Sequence, residues 1–445
     1  MNTRDISKAF ILAMSAAALT GCGSDDMDMP SNPALPETGA EVSTSVIYQA
    51  NPRFFAKNGC LGALTAHVEE IASMGCDILW VMPVMEQGEK DAFGSPYCIR
   101  DFKAVNPDYG TMADFRRLVE TAHGAGMKVM LDWVANHTAW DHSWTVTHPE
   151  YYVRDAAGNI QQASTWTDVA QLDFSNPDTA GAMADAMLYW VEQSDIDGFR
   201  CDYADGVPHS FWEETIAKLR EAKPGLLMLA ESRDAGFYAD GFDMIYDWDF
   251  APAMSAVFNG GKPSDLFAKA ASTWSAVPEG KELLRYAFNH DFAAENATGT
   301  TYGTPEGAEA AYVLTAMLGG TPMIYSSMDA DTDGGTLSFF SYTPLDWSSA
   351  KRGRLGAINR AYKATAEARR GELTTYANSK AVMFTRATPE QKMLVIVNPT
   401  GGQLTVKTPI TLAGETMTDL IGEGEVTLPA AVTLDAYGYT IYLKR

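Results

Sequence analysis

The 445-residue chain carries 57 acidic against 33 basic side chains, a formal net charge of −24. So large an acidic excess argues against nucleic acid or an anionic membrane surface as a partner, because both would repel it. With 46% hydrophobic residues the length suffices for a large domain plus a small accessory one, and the ten Trp suit a sugar binder or a large core equally.

In chain order, the first segment is not part of the fold. Arg4 and Lys8 precede "AFILAMSAAAL", an apolar run too short to cross a membrane as a helix. It closes on "LTGC", so residues 1–21 resemble a bacterial lipoprotein signal, with Cys22 the lipidated first residue. Residues 22–44, acidic and Pro-rich, read as a disordered tether. Acidic residues directly behind the lipidated Cys resemble the surface-export signals of Bacteroidetes lipoproteins. The expected location is the outer membrane, at the cell surface or facing the periplasm, with only the acyl chains at Cys22 touching lipid.

From residue 45 onward, strand-like runs alternate with helical stretches. The runs are "SVIYQA", "DILWVMPV", "KVMLDWV", "DGFRCD", "LLMLAES", "FDMIYDWD", "LRYAFNHD" and "TPMIYSS". Helices are predicted between them at 61–74, 112–123, 178–193, 209–222, 263–275 and 306–318. Apolar strands alternating with helices imply α/β architecture with a parallel sheet, and eight units imply a closed (β/α)8 TIM barrel over 45–136 and 177–372. Residues 137–176, rich in Trp, His and Asp, are too long for a βα loop and read as an inserted subdomain B after strand 3. A helix near 352–370 closes the barrel. Short alternating runs such as "KMLVIVNPT" and "YGYTIYL" then predict a C-terminal antiparallel β-sandwich domain over 373–445. Apart from Cys22, the cysteines are Cys60, Cys76, Cys98 and Cys201, none with metal-site spacing. Cys60 and Cys98 fall on adjacent loops and are a candidate disulfide; Cys76 and Cys201 read as buried small hydrophobes.

A barrel of this kind uses the C-terminal ends of its strands. Those ends carry Asp132, Asn136 and His137 after strand 3, Arg200 and Asp202 on strand 4, Glu231 on strand 5, and His290 and Asp291 on strand 7. Each alone could be a structural ion pair. Their convergence on one mouth is hard to explain as packing.

The stretches "DWVANH" at 132–137, "GFRCD" at 198–202, "LAES" at 229–232 and "FNHD" at 288–291 resemble the four sequence regions of the α-amylase family, glycoside hydrolase family 13. "GCDILWVMPV", "GSPYCIRDFKAVNPDYGT" and "GGTPMIYSSMD" are similar to it as well, in the family's order, and the style most resembles lipoprotein α-amylases of gut Bacteroidetes. The resemblance implies a retaining glycosidase with Asp202 as nucleophile, Glu231 as acid/base and Asp291 as the carboxylate holding sugar hydroxyls. It further implies that Tyr97 stacks on that sugar and that His137 and His290 hydrogen-bond it. Arg200, on the same face as Asp202 by strand alternation, would favour the ionised nucleophile, and Asp132 would brace Arg200. The apolar run before Glu231 would raise its pKa.

The implied partner is an α-glucan or maltooligosaccharide, and the implied reaction endo-cleavage of α-1,4 bonds in starch. An α-glucosidase, an α-1,6-glucosidase, a transglycosylase or a non-catalytic glucan-binding lipoprotein are the alternatives. Asn136 matches a calcium-ligand position, so calcium is the one candidate cofactor. Departures are also visible. Asp205 and Gly206 stand where many α-amylases have Lys-His, Asp329 replaces a glutamate, and "DADTDGG" at 329–335 reads as a polar loop rather than a calcium loop. Trp140, Trp144 and Trp166 serve either as sugar platforms or as the subdomain's own core. Tyr203, next to the nucleophile, points away from Asp202 unless the strand has already ended.

Overall fold

The computed structural model describes residues 43–445, so the signal and Cys22 lie outside the described residues. The last two tether residues belong to the fold: Ser43 is buried, and its carbonyl accepts hydrogen bonds from Tyr362 and Arg369.

Eight strands form the closed barrel, β1 (Ile47–Ala50), β2 (Ile78–Val81), β3 (Lys128–Val134), β4 (Gly198–Asp202), β5 (Leu227–Ala230), β6 (Met244–Tyr246), β7 (Glu282–Tyr286) and β8 (Thr321–Tyr325). They follow one another around the barrel, each parallel to its neighbours. Period-2 alternation sends Trp80, Met130, Leu229, Tyr246, Leu284 and Met323 inward as a packed plug. Burying each such side chain is worth about 1.5–3 kcal/mol. Phe199 and Cys201, on the outer face of β4, pack toward the helices, with Phe199 edge-on to Trp133 at 5.6 Å.

Helix starts follow the capping signals in the sequence: Thr111 and Asp114 form a capping box, and Asn176 and Thr304 each cap a helix with Pro at its first position. Two predicted helices are broken, into Cys60–Thr65 and Val68–Ser73, and into Lys351–Ala364 and Ala366–Arg370. At each break a threonine hydroxyl, Thr65 or Thr365, donates back to the carbonyl four residues earlier, a contact that bends helices. An unpredicted helix, Phe250–Phe258, precedes the expected Pro263–Trp274.

Strand β7 is shorter than predicted. It ends at Tyr286, and His290 and Asp291 open a short helix, His290–Glu295, capped by the Asn289 side chain. Subdomain B contains a three-stranded sheet of His137–Ala139, Trp166–Gln171 and Gln162–Ala163. The C-terminal domain sets a six-stranded antiparallel sheet with a two-stranded one, Leu404–Lys407 and Ala431–Leu434, enclosing Leu394, Ile396, Val406 and Val432.

The Cys60–Cys98 disulfide is not formed; all four described cysteines are free and buried. Cys60 Sγ donates to the Ala56 carbonyl and Cys98 Sγ to that of Asp168, each at 3.1 Å. The two thiols face different carbonyls on different elements, and burial pushes both up in pKa, Cys60 to about 11.

Candidate active site

The register of β3 against β4 sets Asp132 beside Arg200, and alternation carries Arg200 and Asp202 to the barrel interior together. The Arg200 guanidinium is fully buried. Its Nη1 donates to Asp132 Oδ1 at 2.9 Å and to Asp202 Oδ1 at 3.0 Å, while Nη2 lies 2.9 Å from Glu231 Oε1. Its Nε donates to the Tyr246 hydroxyl at 3.1 Å, and Trp80 offers a ring face 5.3 Å away. One cation thus serves three carboxyl groups. Asp132 also accepts from Trp80 Nε1 and the Tyr97 hydroxyl, which makes it a brace rather than a group free to react.

Around this hub the sugar-contact candidates fall into two groups. Gln49 Nε2 donates to His290 Nδ1 at 2.8 Å, so the other ring nitrogen carries the proton and meets the Tyr97 hydroxyl at 2.8 Å. The Tyr97 and His290 rings stack at 5.3 Å, and Phe339 stands edge-on to both. In the second group, His137 packs edge-on to Trp166, and Trp166 edge-on to Tyr203 at 4.9 Å. Strand β4 has indeed ended at Asp202. Tyr203 adopts φ 40°, and this left-handed turn aims its N–H at Glu231 Oε2, 2.6 Å away. Gly206 is required beside it, because a Cβ there would lie 2.5 Å from the Tyr203 ring and 2.4 Å from Asn136 Oδ1. Asp205 accepts from the Ser232 hydroxyl at 2.6 Å.

Burial pushes Asp202 up to about 6, against the pull of Arg200. Glu231 rises further, to about 8, first through burial and then through the charge of Asp202, with Arg200 again opposing. Asp291 sits well above the ordinary range through desolvation and its neighbours Glu231 and Asp202. Burial holds His137 near 4 and His290 well below its usual value, so both rings are neutral. Asp202 and Glu231 share the Arg200 guanidinium, and their unequal proton affinities leave the first the readier anion and the second the readier acid.

Residues 37–335, more than half of the chain, match the α-amylase catalytic domain. The chain belongs to the α-amylase family. It is 30% identical over 304 residues to the α-amylase MalA of Haloarcula japonica, covering 65% of this chain and 44% of that one. To an α-glucosidase of Culex pipiens it is 29% identical over 252 residues, covering 48% and 41%. The crystal structure of an α-amylase from Lactobacillus plantarum is similar with a TM-score of 0.80 at 26% identity, covering 91% of this chain and all of that one. The chain spans less than half the length of these two curated relatives.

Several residues of this α-amylase-family site escape sequence reasoning. Gln49 had a legible signal, a lone amide in the buried run "IYQA". Trp80 and Tyr246 read as ordinary apolar strand residues, and Phe339 lies in a loop more than forty positions from His290. Among the subdomain tryptophans, Trp144 packs with Phe102, His142 and Tyr151 as core, Trp166 reaches Tyr203 at the end of β4, and Trp140 is tied to the Thr167 carbonyl.

The residues at Asn136 do not fit a calcium ion. Asn136 Oδ1 accepts from Gln171 Nε2 at 2.9 Å, so the oxygen a calcium ion would need is already engaged by an amide. Among the described residues no three His, Cys, Asp or Glu side chains converge as a metal site. Calcium chemistry therefore supplies no step here.

Proposed function

We propose that the protein is a retaining, endo-acting α-amylase that cleaves α-1,4 bonds of starch or maltooligosaccharides. The observation that carries retention is that Asp202 and Glu231 share one guanidinium, Asp202 Oδ1 3.0 Å from Arg200 Nη1 and Glu231 Oε1 2.9 Å from Nη2. An inverting pair stands about 6.5–9.5 Å apart to admit water, whereas a retaining pair is closer.

In this reading Glu231 gives its proton to the glycosidic oxygen while Asp202 attacks C1, so the C1–O bond breaks as the Asp202 ester forms. The Glu231 carboxylate then takes a proton from water, which attacks C1 and releases Asp202. Asp291 holds sugar hydroxyls, and the Tyr97–His290 stack and His137 border the sugar being cut. The Tyr203 N–H keeps Glu231 aimed, and the Tyr203–Trp166 pair bounds the leaving-group side because it adjoins the acid.

Product analysis over time on amylose, pullulan and isomaltose tests the mode of action. Mixed maltooligosaccharides early in amylose digestion are expected. Glucose as the sole early product would replace this reading with an α-glucosidase, preference for isomaltose with an α-1,6-glucosidase, and longer oligosaccharides than the substrate with a transglycosylase. Binding without any product would leave a glucan-binding protein.

The lipoprotein-like "LTGC" supports a surface-anchored enzyme, which would meet polymer too large to import. Cys22→Ala is expected to move the full-length protein from the membrane fraction to the soluble one. Retention of that variant in membranes would remove the anchor from the proposal.

A further inference from the structure

Three oxygens surround one side-chain nitrogen where subdomain B rejoins the barrel. Gln171 Nε2 lies 2.9 Å from Asn136 Oδ1, 3.0 Å from the Asn136 carbonyl and 3.1 Å from the Leu172 carbonyl. Two of the three are backbone carbonyls, which only accept, so the end of the Gln171 amide facing them must be its NH2. Asn136 is buried, and its Nδ2 donates in turn to His137 Nδ1 at 3.2 Å. The Leu172 N–H closes back on the Asn136 carbonyl at 3.2 Å. Gly206, in the turn after Asp202, leaves no space for a Cβ against Asn136 Oδ1. The nitrogen therefore sits at the meeting point of β3, the returning strand of subdomain B and the turn behind Asp202.

We propose that the Gln171 amide takes the place of a structural cation at this junction, so that subdomain B and His137 are held without metal. An NH2 group presents two partially positive hydrogens to an oxygen cage. A calcium ion presents a full charge but needs six to eight oxygens, commonly several of them carboxylates. A neutral cage of three oxygens suits the amide and is too poor for the ion. Gln171 is thus a positioning residue, acting on His137 through Asn136.

The proposal makes opposite demands on the native protein and on a one-atom variant. Native protein dialysed against EDTA is expected to keep its melting temperature within about 1 °C, with or without millimolar Ca2+ added back, a shift well below that of a lost buried contact. The Gln171→Glu substitution places a carboxylate among three acceptors, so that variant is expected to melt several degrees lower in EDTA and to recover with Ca2+. Gln171→Leu, lacking any polar end, is expected to melt lower and to ignore Ca2+. A general structural role would not produce that cation-specific rescue of one variant only. Loss of several degrees by the native protein in EDTA, restored by Ca2+, would overturn the proposal. So would a folded Gln171→Glu protein indifferent to Ca2+, or a Gln171→Leu protein as stable as the native one.

Discussion

Asp202→Asn and Glu231→Gln are expected to abolish most starch hydrolysis while leaving the fold intact, and to differ in what restores them. Loss of an acid/base group costs about 10²–10⁴-fold in rate, and loss of the nucleophile at least as much. An α-glucosyl fluoride needs no proton on its leaving group. Glu231→Gln should therefore recover activity toward the fluoride, and Asp202→Asn should not. The same logic governs pH. The active native form has Asp202 ionised and Glu231 protonated, so kcat/KM on starch should rise as pH passes about 6 and fall as it passes about 8, as properties of the coupled pair. With the fluoride as substrate the alkaline limb should weaken, because the proton on Glu231 is no longer spent on departure of the leaving group. Product released from an α-linked substrate should first appear as the α-anomer by NMR. Substantial starch hydrolysis by Asp202→Asn, or initial β-anomer, would remove Asp202 from the nucleophile's role.

Arg200→Leu should have the largest effect on stability. The guanidinium is fully buried and is in contact with Asp132, Asp202 and Glu231. Removing one partner of a buried ion pair costs about 3–5 kcal/mol, because the charge left behind has no solvent. Here three carboxyl groups are left, and each can escape only by taking up a proton. Asp202 and Glu231 already have folded pKa values above those of an unfolded chain, and without Arg200 these rise further. The folded variant then binds more protons than the unfolded chain, so its stability falls as pH rises through this range. Urea unfolding should accordingly show a small deficit against the native protein at pH 5 and a large one at pH 8. Equal stability of the two proteins at pH 8 would contradict the placement of Arg200 as the common counter-ion.

The barrel and its carboxylates were legible in the sequence for a local reason. Side-chain alternation is a property of four to eight consecutive residues, so Arg200 and Asp202 share a face wherever β4 is placed, and apolar runs alternating with helical ones leave few arrangements besides a parallel barrel. The cap residues Thr111, Asn176 and Thr304 likewise act only on their own helices. What the tertiary structure alone decided involves partners far apart in the chain. Gln49 meets His290 across 241 positions and Arg200 meets Tyr246 across 46, and no local period encodes such meetings. Strand ends behaved likewise. Whether β4 stopped at Asp202, and β7 before His290, depended on which carbonyls and carboxylates stood ready to receive the next N–H groups, as Glu231 does for Tyr203 and Asn289 for Phe292. The expected disulfide at Cys60 and Cys98 failed for that reason, and the calcium ion weighed at Asn136 meets the same kind of obstacle. A cysteine or an asparagine is chemically able to bond or ligate, but the neighbours delivered by distant segments, a carbonyl for each thiol and the Gln171 amide for Asn136, determine which of its bonds is made.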